Sequence, residues 1–313
     1  MIHRPRVLVS TSSFANLDDK PLRLLQDAGL EVQLNPYGRK LTPDECTTLF
    51  RDMDGLVAGT EALTAEVLKS AGRLKVISRC GVGTDNIDME VARELGIQVF
   101  TTGDAHTQAV AELTLGLMLD LRRLVSMQDR LVRSGVWKKS MGGLLHGKTL
   151  GIVGLGRVGK RVVELTMPFD LRYVAWDVSP DQQFAENWGV AYVDLDELLM
   201  ESDIVTIHLP YASELKGLIA ERELGLMKKD ALLVNTARGA LVDEVALHSA
   251  LEEGAISGAA LDVFDQEPYT GRLRELDNIV LTPHIGSYAR ETRLEMEIQA
   301  AKNLLQGLRD RHD

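Results

Sequence analysis

Cysteine and basic residues are scarce in this 313-residue sequence. Cys46 and Cys80 are too few and too far apart for a disulfide framework or a zinc site, so we expect a reducing, cytoplasmic setting and no bound metal. Asp and Glu outnumber Lys and Arg by 46 to 35, which gives a formal net charge of -11. That charge argues against sequence-independent binding to nucleic acid or to anionic membranes. Small molecules are therefore the expected partners.

Long apolar runs are also absent from the sequence. The first six residues, MIHRPR, lead directly into a short strand-like run, without the apolar stretch of a secretory signal. The longest apolar-rich segment, residues 109–121, is interrupted by Glu112 and Asp120 and is too short to cross a bilayer. We expect no membrane segment. The composition, 45% apolar and 26% charged, is typical of a globular protein, and the length favours two domains.

Short apolar runs alternate with amphipathic stretches in two blocks of the chain, which is typical of parallel α/β sheets. The predicted strands of the first block are 7–10, 31–34, 55–58, 75–78 and 98–100. Those of the second block are 150–153, 173–176, 204–209, 231–235, 258–262 and 279–281.

Helical patterns over residues 107–133 and 288–308 flank the second block, which is therefore predicted to be inserted into the first. The predicted fold is α/β, with two doubly wound parallel-sheet domains. One is a flavodoxin-like substrate domain of residues 1–103 and 286–313. The other is an inserted Rossmann dinucleotide-binding domain of residues 104–285.

A glycine-rich turn follows the first strand of the second block. Gly154, Gly156 and Gly159 have G-x-G-x-x-G spacing between a strand pattern and a helix pattern, the order that a dinucleotide-binding loop requires. The first glycine permits a tight turn, the second lets the backbone approach a pyrophosphate, and the third allows close packing of helix and strand. The helix N-terminus attracts the phosphate charge, so such a site needs no metal.

An acid stands where a ribose-binding residue is expected. Asp177 lies 23 positions after Gly154 (177 - 154) and directly follows the next strand pattern, close to where an acid meets the ribose hydroxyls. Its charge would repel a 2'-phosphate, and residues 178–181 contain no arginine. The sequence therefore favours NAD over NADP. The alternative is a strand-end acid that caps the following turn.

A histidine, a carboxylate and an arginine stand at predicted strand ends, which line the ligand crevice of α/β sheets. His284 lies in TPHIG, Glu267 in DVFDQEP and Arg238 in NTARG. Reversible hydride transfer at a carbonyl beside a carboxylate requires a proton donor, a group that keeps it protonated and a cation for the substrate, which these residues supply in that order. Taken singly, they are also compatible with a loop histidine, a turn acid and a helix-cap donor.

A second glycine-rich turn, residues 78–86, follows a strand of the first block. Its backbone N–H groups are suited to a substrate carboxylate. The alternative is a plain strand-to-helix connection, capped by Asp85 or Asp88. Cys80 in this turn is compatible with a reactive or an inert thiol.

With these residues the chain resembles the D-isomer-specific 2-hydroxyacid dehydrogenases, the family of phosphoglycerate dehydrogenase, glyoxylate and hydroxypyruvate reductases and D-lactate dehydrogenase. The similarity covers nearly the whole chain. It rests on GVGTDNID from Gly81, the glycine loop at Gly154, HLP at His208, NTARG at Asn235, DVFDQEP at Asp262 and TPHIG at Thr282.

The resemblance implies roles for individual positions, with NAD as cofactor and a homodimer joined through the nucleotide-binding domains. The family's catalytic arginine, glutamate and histidine fall on Arg238, Glu267 and His284. Its substrate-facing positions fall on Val82 and Gly83. The cofactor-binding positions are Gly154, Gly156, Arg157, Val158, Gly159, Asp177, His208, Pro210, Thr236, Ala237 and Asp262.

One stretch departs from the family pattern. Many phosphoglycerate-type members carry an arginine-serine stretch after the third strand, where this chain reads AGTE at residues 58–61. The departure weakens phosphate recognition, although Arg79 beside the substrate loop is a candidate replacement. Phosphoglycerate, glyoxylate and hydroxypyruvate therefore all remain expected substrates. Because the chain ends at Asp313, we also expect no appended regulatory domain.

We therefore expect an NAD-dependent D-2-hydroxyacid dehydrogenase, similar to phosphoglycerate dehydrogenase, that interconverts a small D-2-hydroxy acid and its 2-oxo acid. Two alternatives use the same scaffold. One is an NAD(H)-sensing regulator similar to the C-terminal-binding corepressors, for which long tails would be expected. The other is a related dehydrogenase of a substrate such as formate or phosphite; the sequence has no large insertions of the formate type.

Overall fold

The structure is a computed structural model that describes residues 4–310. The chain divides into two compact units. The first unit comprises Met1–His106 and Tyr288–Asp313, and the second unit is Thr107–Ser287.

Strands and helices alternate along the described chain. The strands are β1 Arg6–Val9, β2 Glu31–Leu34, β3 Gly55–Ala58, β4 Val76–Arg79, β5 Gln98–Thr101, β6 Thr149–Val153, β7 Arg172–Trp176, β8 Val190–Tyr192, β9 Ile204–Ile207, β10 Leu232–Asn235, β11 Gly258–Leu261 and β12 Ile279–Leu281. The helices are α1 Lys20–Asp27, α2 Pro43–Phe50, α3 Ala65–Ser70, α4 Met89–Glu94, α5 Thr107–Arg123, α6 Val125–Arg133, α7 Arg157–Thr166, α8 Gln182–Trp188, α9 Leu195–Glu201, α10 Glu221–Leu226, α11 Glu244–Glu252 and α12 Arg290–Arg309.

The first unit contains a parallel sheet in the order β2-β1-β3-β4-β5, with helices on both faces. Alternate residues of a strand point to opposite faces, so β1 contributes to two separate cores. Val7 and Val9 pack in one cluster with Leu304 of α12. Leu8 packs on the other side with Phe50 of α2. Both faces of β1 and β3 are buried, which is why these two strands are apolar runs rather than alternating patterns.

The second unit contains a parallel sheet in the order β12-β11-β10-β9-β6-β7-β8. The chain builds outward from β6 to β8 and then returns to β9 on the other side of β6. In such sheets the ligand crevice lies at the carboxyl ends of the strands where this order reverses. The loops after β6 and β9 meet at that point.

The α/β class with two parallel sheets, predicted from the sequence, is confirmed, and the predicted strands lie within two residues of observed ones. Strand β8 had no predicted counterpart. It is a three-residue edge strand that pairs only with β7, too short to show a pattern of its own.

The helical pattern over residues 107–133 predicted one helix, and this prediction is wrong because the structure has two. Leu124, with φ of +56°, separates α5 from α6. The Asp120 carboxylate accepts a 2.7 Å hydrogen bond from the Ser126 N–H and another from the Ser126 hydroxyl, so it satisfies the first turn of the second helix as a cap would. The side chain of Asp120 therefore stabilises the break.

Within residues 4–310, no helix combines the length and the apolar character needed to span a membrane.

Candidate active site

Gly154 turns the chain at the carboxyl end of β6. Its φ of +97° lies in the region that favours glycine. A Cβ at this position would lie 2.9 Å from the backbone of His208 and Leu209, so the loops after β6 and β9 can approach only because Gly154 has no side chain. Gly159 approaches the same loop from α7, where a Cβ would lie 2.4 Å from the Gly154 carbonyl oxygen.

The first turn of α7 is open to solvent. Gly156 is the N-cap residue, and nothing lies within 4 Å of the position that its Cβ would take. Arg157 is exposed and Val158 is half-buried. The N–H groups at a helix start carry partial positive charge and attract anions, so this turn has the room and the polarity for a phosphate group.

Asp177 directly follows β7 and contacts the glycine loop. Its carboxylate accepts a 2.7 Å hydrogen bond from the Leu155 N–H and a 2.8 Å bond from the Ser179 N–H. An acidic side chain is thus held beside the turn that begins α7.

His208 and Pro210 follow β9. The Thr206 hydroxyl lies 2.9 Å from Nε2 of His208, and burial lowers the pKa of His208 to about 3. The ring is therefore neutral near pH 7, with one nitrogen a donor and the other an acceptor. Pro210 is exposed.

Asn235 shapes the loop after β10. Its Oδ1 accepts a 3.0 Å hydrogen bond from the Ala237 N–H, and its Nδ2 donates to the Arg238 carbonyl at 2.9 Å, which makes an Asx-turn. Thr236 is buried, whereas Ala237 and Arg238 are half-buried. Nη1 of Arg238 donates to the Ala237 carbonyl at 2.7 Å, so the guanidinium is anchored to its own loop.

Asp262 is buried after β11 and holds the loop that carries His284. Its Oδ1 accepts from the Thr282 hydroxyl at 2.6 Å and from the Ile285 N–H at 2.8 Å, while Oδ2 accepts from the Gly286 N–H at 2.8 Å. Burial raises the pKa of Asp262 even against these three donors. Within this loop His284 has φ of +55°, an unusual conformation for a residue with a side chain.

His284 and Glu267 form a close pair. Nδ1 of His284 lies 3.0 Å from Oε1 and 2.9 Å from Oε2 of Glu267. An ionised carboxylate only accepts hydrogen bonds, so Nδ1 carries the hydrogen. Oε1 also accepts from the Phe264 N–H at 3.2 Å. Nε2 of His284 is therefore the ring nitrogen left for exchange with a ligand.

The predicted substrate residues of the first unit lie at the carboxyl end of β4. Val82 and Gly83 are half-buried in the turn that follows the strand. Nη1 of Arg79 donates to the Cys80 carbonyl at 2.6 Å, and its guanidinium lies over Gly81. Arg79 therefore braces this turn.

A buried acid stands after β3, in the stretch that departs from the phosphoglycerate-type pattern. The Glu61 carboxylate accepts from the Ser10 hydroxyl and from the Gly59 N–H, the latter at 3.1 Å. Nδ2 of Asn86 donates to the Glu61 carbonyl at 2.6 Å. The loops after β1, β3 and β4 are thereby joined through one residue.

Three residues of the second unit were not predicted from the sequence. The Thr282 hydroxyl binds Asp262, the Thr114 hydroxyl of α5 lies 2.9 Å from that of Thr236, and Glu244 of α11 accepts a 2.8 Å hydrogen bond from the Asp265 N–H. Thr282 lies within TPHIG, so that motif could have indicated its role in binding Asp262. Thr114 lies within an apolar helix pattern and Glu244 at a helix start, where acids are common.

The described part of the chain contains no cluster of three or more His, Cys, Asp or Glu side chains that could hold a metal ion.

Comparison with known proteins identifies the family. Residues 115–286 match the model of the D-isomer specific 2-hydroxyacid dehydrogenase NAD binding domain. The chain is 45% identical to a glyoxylate reductase of Aeropyrum pernix, over 96% of this chain and 92% of that protein. It is 41% identical to a D-3-phosphoglycerate dehydrogenase of Methanocaldococcus jannaschii, over 88% of this chain but 53% of that protein. The crystal structure of the TT0316 protein of Thermus thermophilus superposes with a TM-score of 0.90 at 40% identity, over 97% of both chains.

More than half of the chain matches the family model, and the identity to full-length relatives is well above that of a shared fold alone. The chain belongs to the D-isomer specific 2-hydroxyacid dehydrogenases, enzymes that use NAD to interconvert a D-2-hydroxy acid and its 2-oxo acid.

Proposed function

We propose that His284 exchanges the proton of this reaction, with Glu267 as its partner and Arg238 as the substrate-binding cation. The contact of Nδ1 with both Glu267 oxygens supports this assignment. In the reductive direction Nε2 donates its proton to the substrate oxygen, and the carboxylate stabilises the imidazolium beforehand. In the oxidative direction the neutral ring takes the proton from the hydroxyl group, and Glu267 stabilises the charge that results.

Arg238 is proposed to bind the substrate carboxylate. A guanidinium presents two parallel N–H groups that match a carboxylate, and its charge polarises the neighbouring carbonyl. The Asx-turn of Asn235 fixes the backbone from which this side chain extends. We assign Val82 and Gly83, and with them the turn that Arg79 braces, to the substrate-binding part of the first unit.

The residues of the second unit fit NAD. The open first turn of α7 at Gly156, with Arg157 and Val158, suits the pyrophosphate, and Asp177 suits the ribose hydroxyls. We place His208, Pro210, Thr236, Ala237 and Asp262 along the rest of the cofactor, because they occupy the ends of β9, β10 and β11. When bound, NAD supplies or accepts the hydride. The protein residues contribute binding, orientation and the proton.

We propose unphosphorylated small 2-oxo acids, glyoxylate and hydroxypyruvate, as the substrates. The stretch after β3 supports this choice, since residues 58–61 lack the arginine of the phosphoglycerate-type members and their one charged residue, Glu61, is an acid held by Ser10 and Gly59. Arg79 is engaged with the Cys80 carbonyl of its own turn. The name of the Aeropyrum relative agrees with this choice.

A panel of substrates monitored by NADH absorbance tests the substrate assignment. We expect kcat/KM for glyoxylate or hydroxypyruvate to exceed that for phosphohydroxypyruvate by at least about tenfold, since a phosphate bound without a matching arginine costs about 1.4 kcal/mol or more. The reverse order would show that the chain acts as a phosphoglycerate dehydrogenase.

Substitution of His284 tests the catalytic assignment. We expect H284A to lower kcat by about a thousandfold and to leave the NADH dissociation constant unchanged, because the first turn of α7 is untouched. R238K should chiefly raise KM for the 2-oxo acid, since lysine cannot form two parallel hydrogen bonds. Wild-type turnover in H284A would remove His284 from the mechanism.

We further propose that the enzyme is a homodimer joined through its second unit. Large apolar side chains are exposed between residues 125 and 144, among them Trp137 at 84%, Met141 at 98% and Leu144 at 65%. Patches of this kind mark protein interfaces. Light scattering should give about twice the mass of the 34.5 kDa chain, and serine at positions 137, 141 and 144 together should shift the species toward the monomer. A monomeric wild-type chain would contradict the proposal.

We also propose that the enzyme is located in the cytoplasm. Cys46 and Cys80 are both free and buried, as expected of a protein made in a reducing compartment. Cell fractionation should recover the enzyme with cytoplasmic markers.

A further inference from the structure

Glu267 stands on a loop that is closed on itself. Its Oε1 accepts from the Phe264 N–H at 3.2 Å, and the rings of Phe264 and Tyr269 stack with centroids 4.4 Å apart. These contacts hold the loop of residues 264–269 together. The direction of the Glu267 carboxylate therefore depends on how this loop is attached to the rest of the second unit.

Glu244 attaches this loop to α11. Its Oε1 accepts a 2.8 Å hydrogen bond from the Asp265 N–H, two residues before Glu267. The start of α11 is itself well fixed, because Asp243 caps the helix through the Val245 and Ala246 N–H groups and the Asp243 N–H donates to the Ile219 carbonyl. The loop is thus tied to a rigid point of the domain.

The surroundings of the Glu244 carboxyl partly oppose its ionisation, although it lies in the first turn of a helix. The carboxyl is half-buried, and Asp243 and Asp265 are close enough for repulsion. Burial, with that repulsion, raises the pKa of Glu244, although the Asp265 N–H stabilises the carboxylate. The hydrogen bond from the Asp265 N–H offsets part of this cost, so the Glu244 carboxylate is stabilised by the loop that it holds.

We propose that Glu244 is a positioning residue for catalysis, which holds the Asp265–Glu267 segment so that the Glu267 carboxylate stays against Nδ1 of His284. The proposal rests on the proton-exchange role proposed above for His284 and Glu267. Glu244 itself touches no reacting atom. Its effect reaches the reaction through the backbone of Asp265 and the side chain of Glu267.

Replacement at position 244 separates positioning from mere stability. E244A removes the acceptor, and we expect kcat for the 2-oxo acid to fall about tenfold, with KM and the NADH dissociation constant little changed. This is less than the roughly hundredfold effect of a 1 Å displacement, because only one attachment of the loop is lost. E244Q keeps an oxygen at the same place and should restore kcat to within about threefold of wild type, since the lost bond to a charged acceptor is replaced by a neutral one. Glu253→Ala, an exposed acid at the end of the same helix, is the matched control and should match wild type.

Proton NMR supplies a readout that reduced stability would not move. The Nδ1–H of His284 should give a downfield resonance that is identified by its loss in H284A. In E244A we expect this signal to shift upfield or to broaden, while E244Q and E253A retain it. If E244A does not fold, E244D serves the same purpose, because it keeps the charge and withdraws the acceptor by one methylene group; it should lower kcat and perturb the resonance.

Failure of the Glu244 proposal and failure of the proposed function would give different results. An inactive H284A together with an E244A or E244D of wild-type kcat and unchanged resonance would overturn the role of Glu244 alone. A fully active H284A would overturn the proton-exchange role and the role of Glu244 with it.

Discussion

The α-carbon of Gly239 lies against the backbone of Phe264, so closely that a Cβ on Gly239 would fall 1.9 Å from the Phe264 carbonyl carbon and 2.4 Å from the Asp265 nitrogen. This contact joins the loop that carries Arg238 to the loop that carries Glu267. The neighbouring atoms are backbone, which cannot rotate away as a side chain can. The two loops can keep this spacing only with glycine at position 239.

The G239A variant should therefore separate the two loops. We expect it to lower kcat/KM by about a hundredfold, because a displacement of about 1 Å in a catalytic group has that effect, and to lower the free energy of unfolding by roughly 1–3 kcal/mol, as overpacking does. Steady-state kinetics and urea titration would measure both quantities. The control is G225A in α10, where nothing lies within 4 Å of the added Cβ; it should keep wild-type activity. An active, stable G239A would show that the loops move independently.

The Thr114 hydroxyl should stabilise Thr236 by accepting its hydrogen bond. Thr114 already donates to the Val110 carbonyl at 2.8 Å, and a hydroxyl has one hydrogen, so in the 2.9 Å contact between the two hydroxyls Thr236 is the donor. T114V leaves that buried donor without an acceptor and should lower the free energy of unfolding by about 1–3 kcal/mol. T114S should retain most of the stability. Equal unfolding curves for T114V and wild type would argue against this bond.

The two cysteines should be inert in the native enzyme. Burial raises the pKa of Cys46 to about 12 and also raises the pKa of the Cys80 thiol, so neither is a thiolate near pH 8, and the thiolate is the reactive form. A thiol reagent such as DTNB should label neither residue before unfolding and both in guanidinium. Rapid labelling of the native enzyme would show that at least one of the two thiols is reactive.

The fold could be predicted from the sequence because both sheets are covered on both faces. A strand such as β3 is then an apolar run bounded by polar residues, which short sequence windows reveal. Strand β8 and the break at Leu124 could not be predicted. The first has three residues, and the second depends on the contact of the Asp120 side chain with Ser126, six positions away, in a stretch without glycine or proline.

The pairing of His284 with Glu267 could be predicted because both residues lie in short, distinctive motifs. His284 and Glu267 each stand in a distinctive stretch at a strand end, and their side chains are in contact in the structure. Thr114 contacts Thr236 of NTARG and Glu244 binds Asp265 of DVFDQEP, from helices 122 and 21 positions away in sequence. A hydroxyl in an apolar helix and an acid in a first helical turn are ordinary locally, so only the packing of α5 and α11 reveals these contacts.

Asp203 should make the stability of the enzyme dependent on pH. Burial opposes its ionisation, but the Thr149 N–H at 2.8 Å and the Lys228 ammonium at 3.1 Å outweigh burial and lower the pKa of Asp203. A carboxyl whose pKa is lower in the folded state stabilises the protein above its unfolded pKa of about 3.9, and this stabilisation is lost as the pH falls through the folded value.

D203N should thus be less stable than wild type at pH 7 by roughly 1–2 kcal/mol, with a difference that shrinks as the pH falls below about 4. Urea titrations at several pH values would measure it, with exposed Asp230→Asn as the control, whose difference from wild type should stay small throughout. A D203N difference that is constant from pH 7 to pH 3 would mean that packing, rather than the charge of Asp203, joins β6 to β9 and to Lys228.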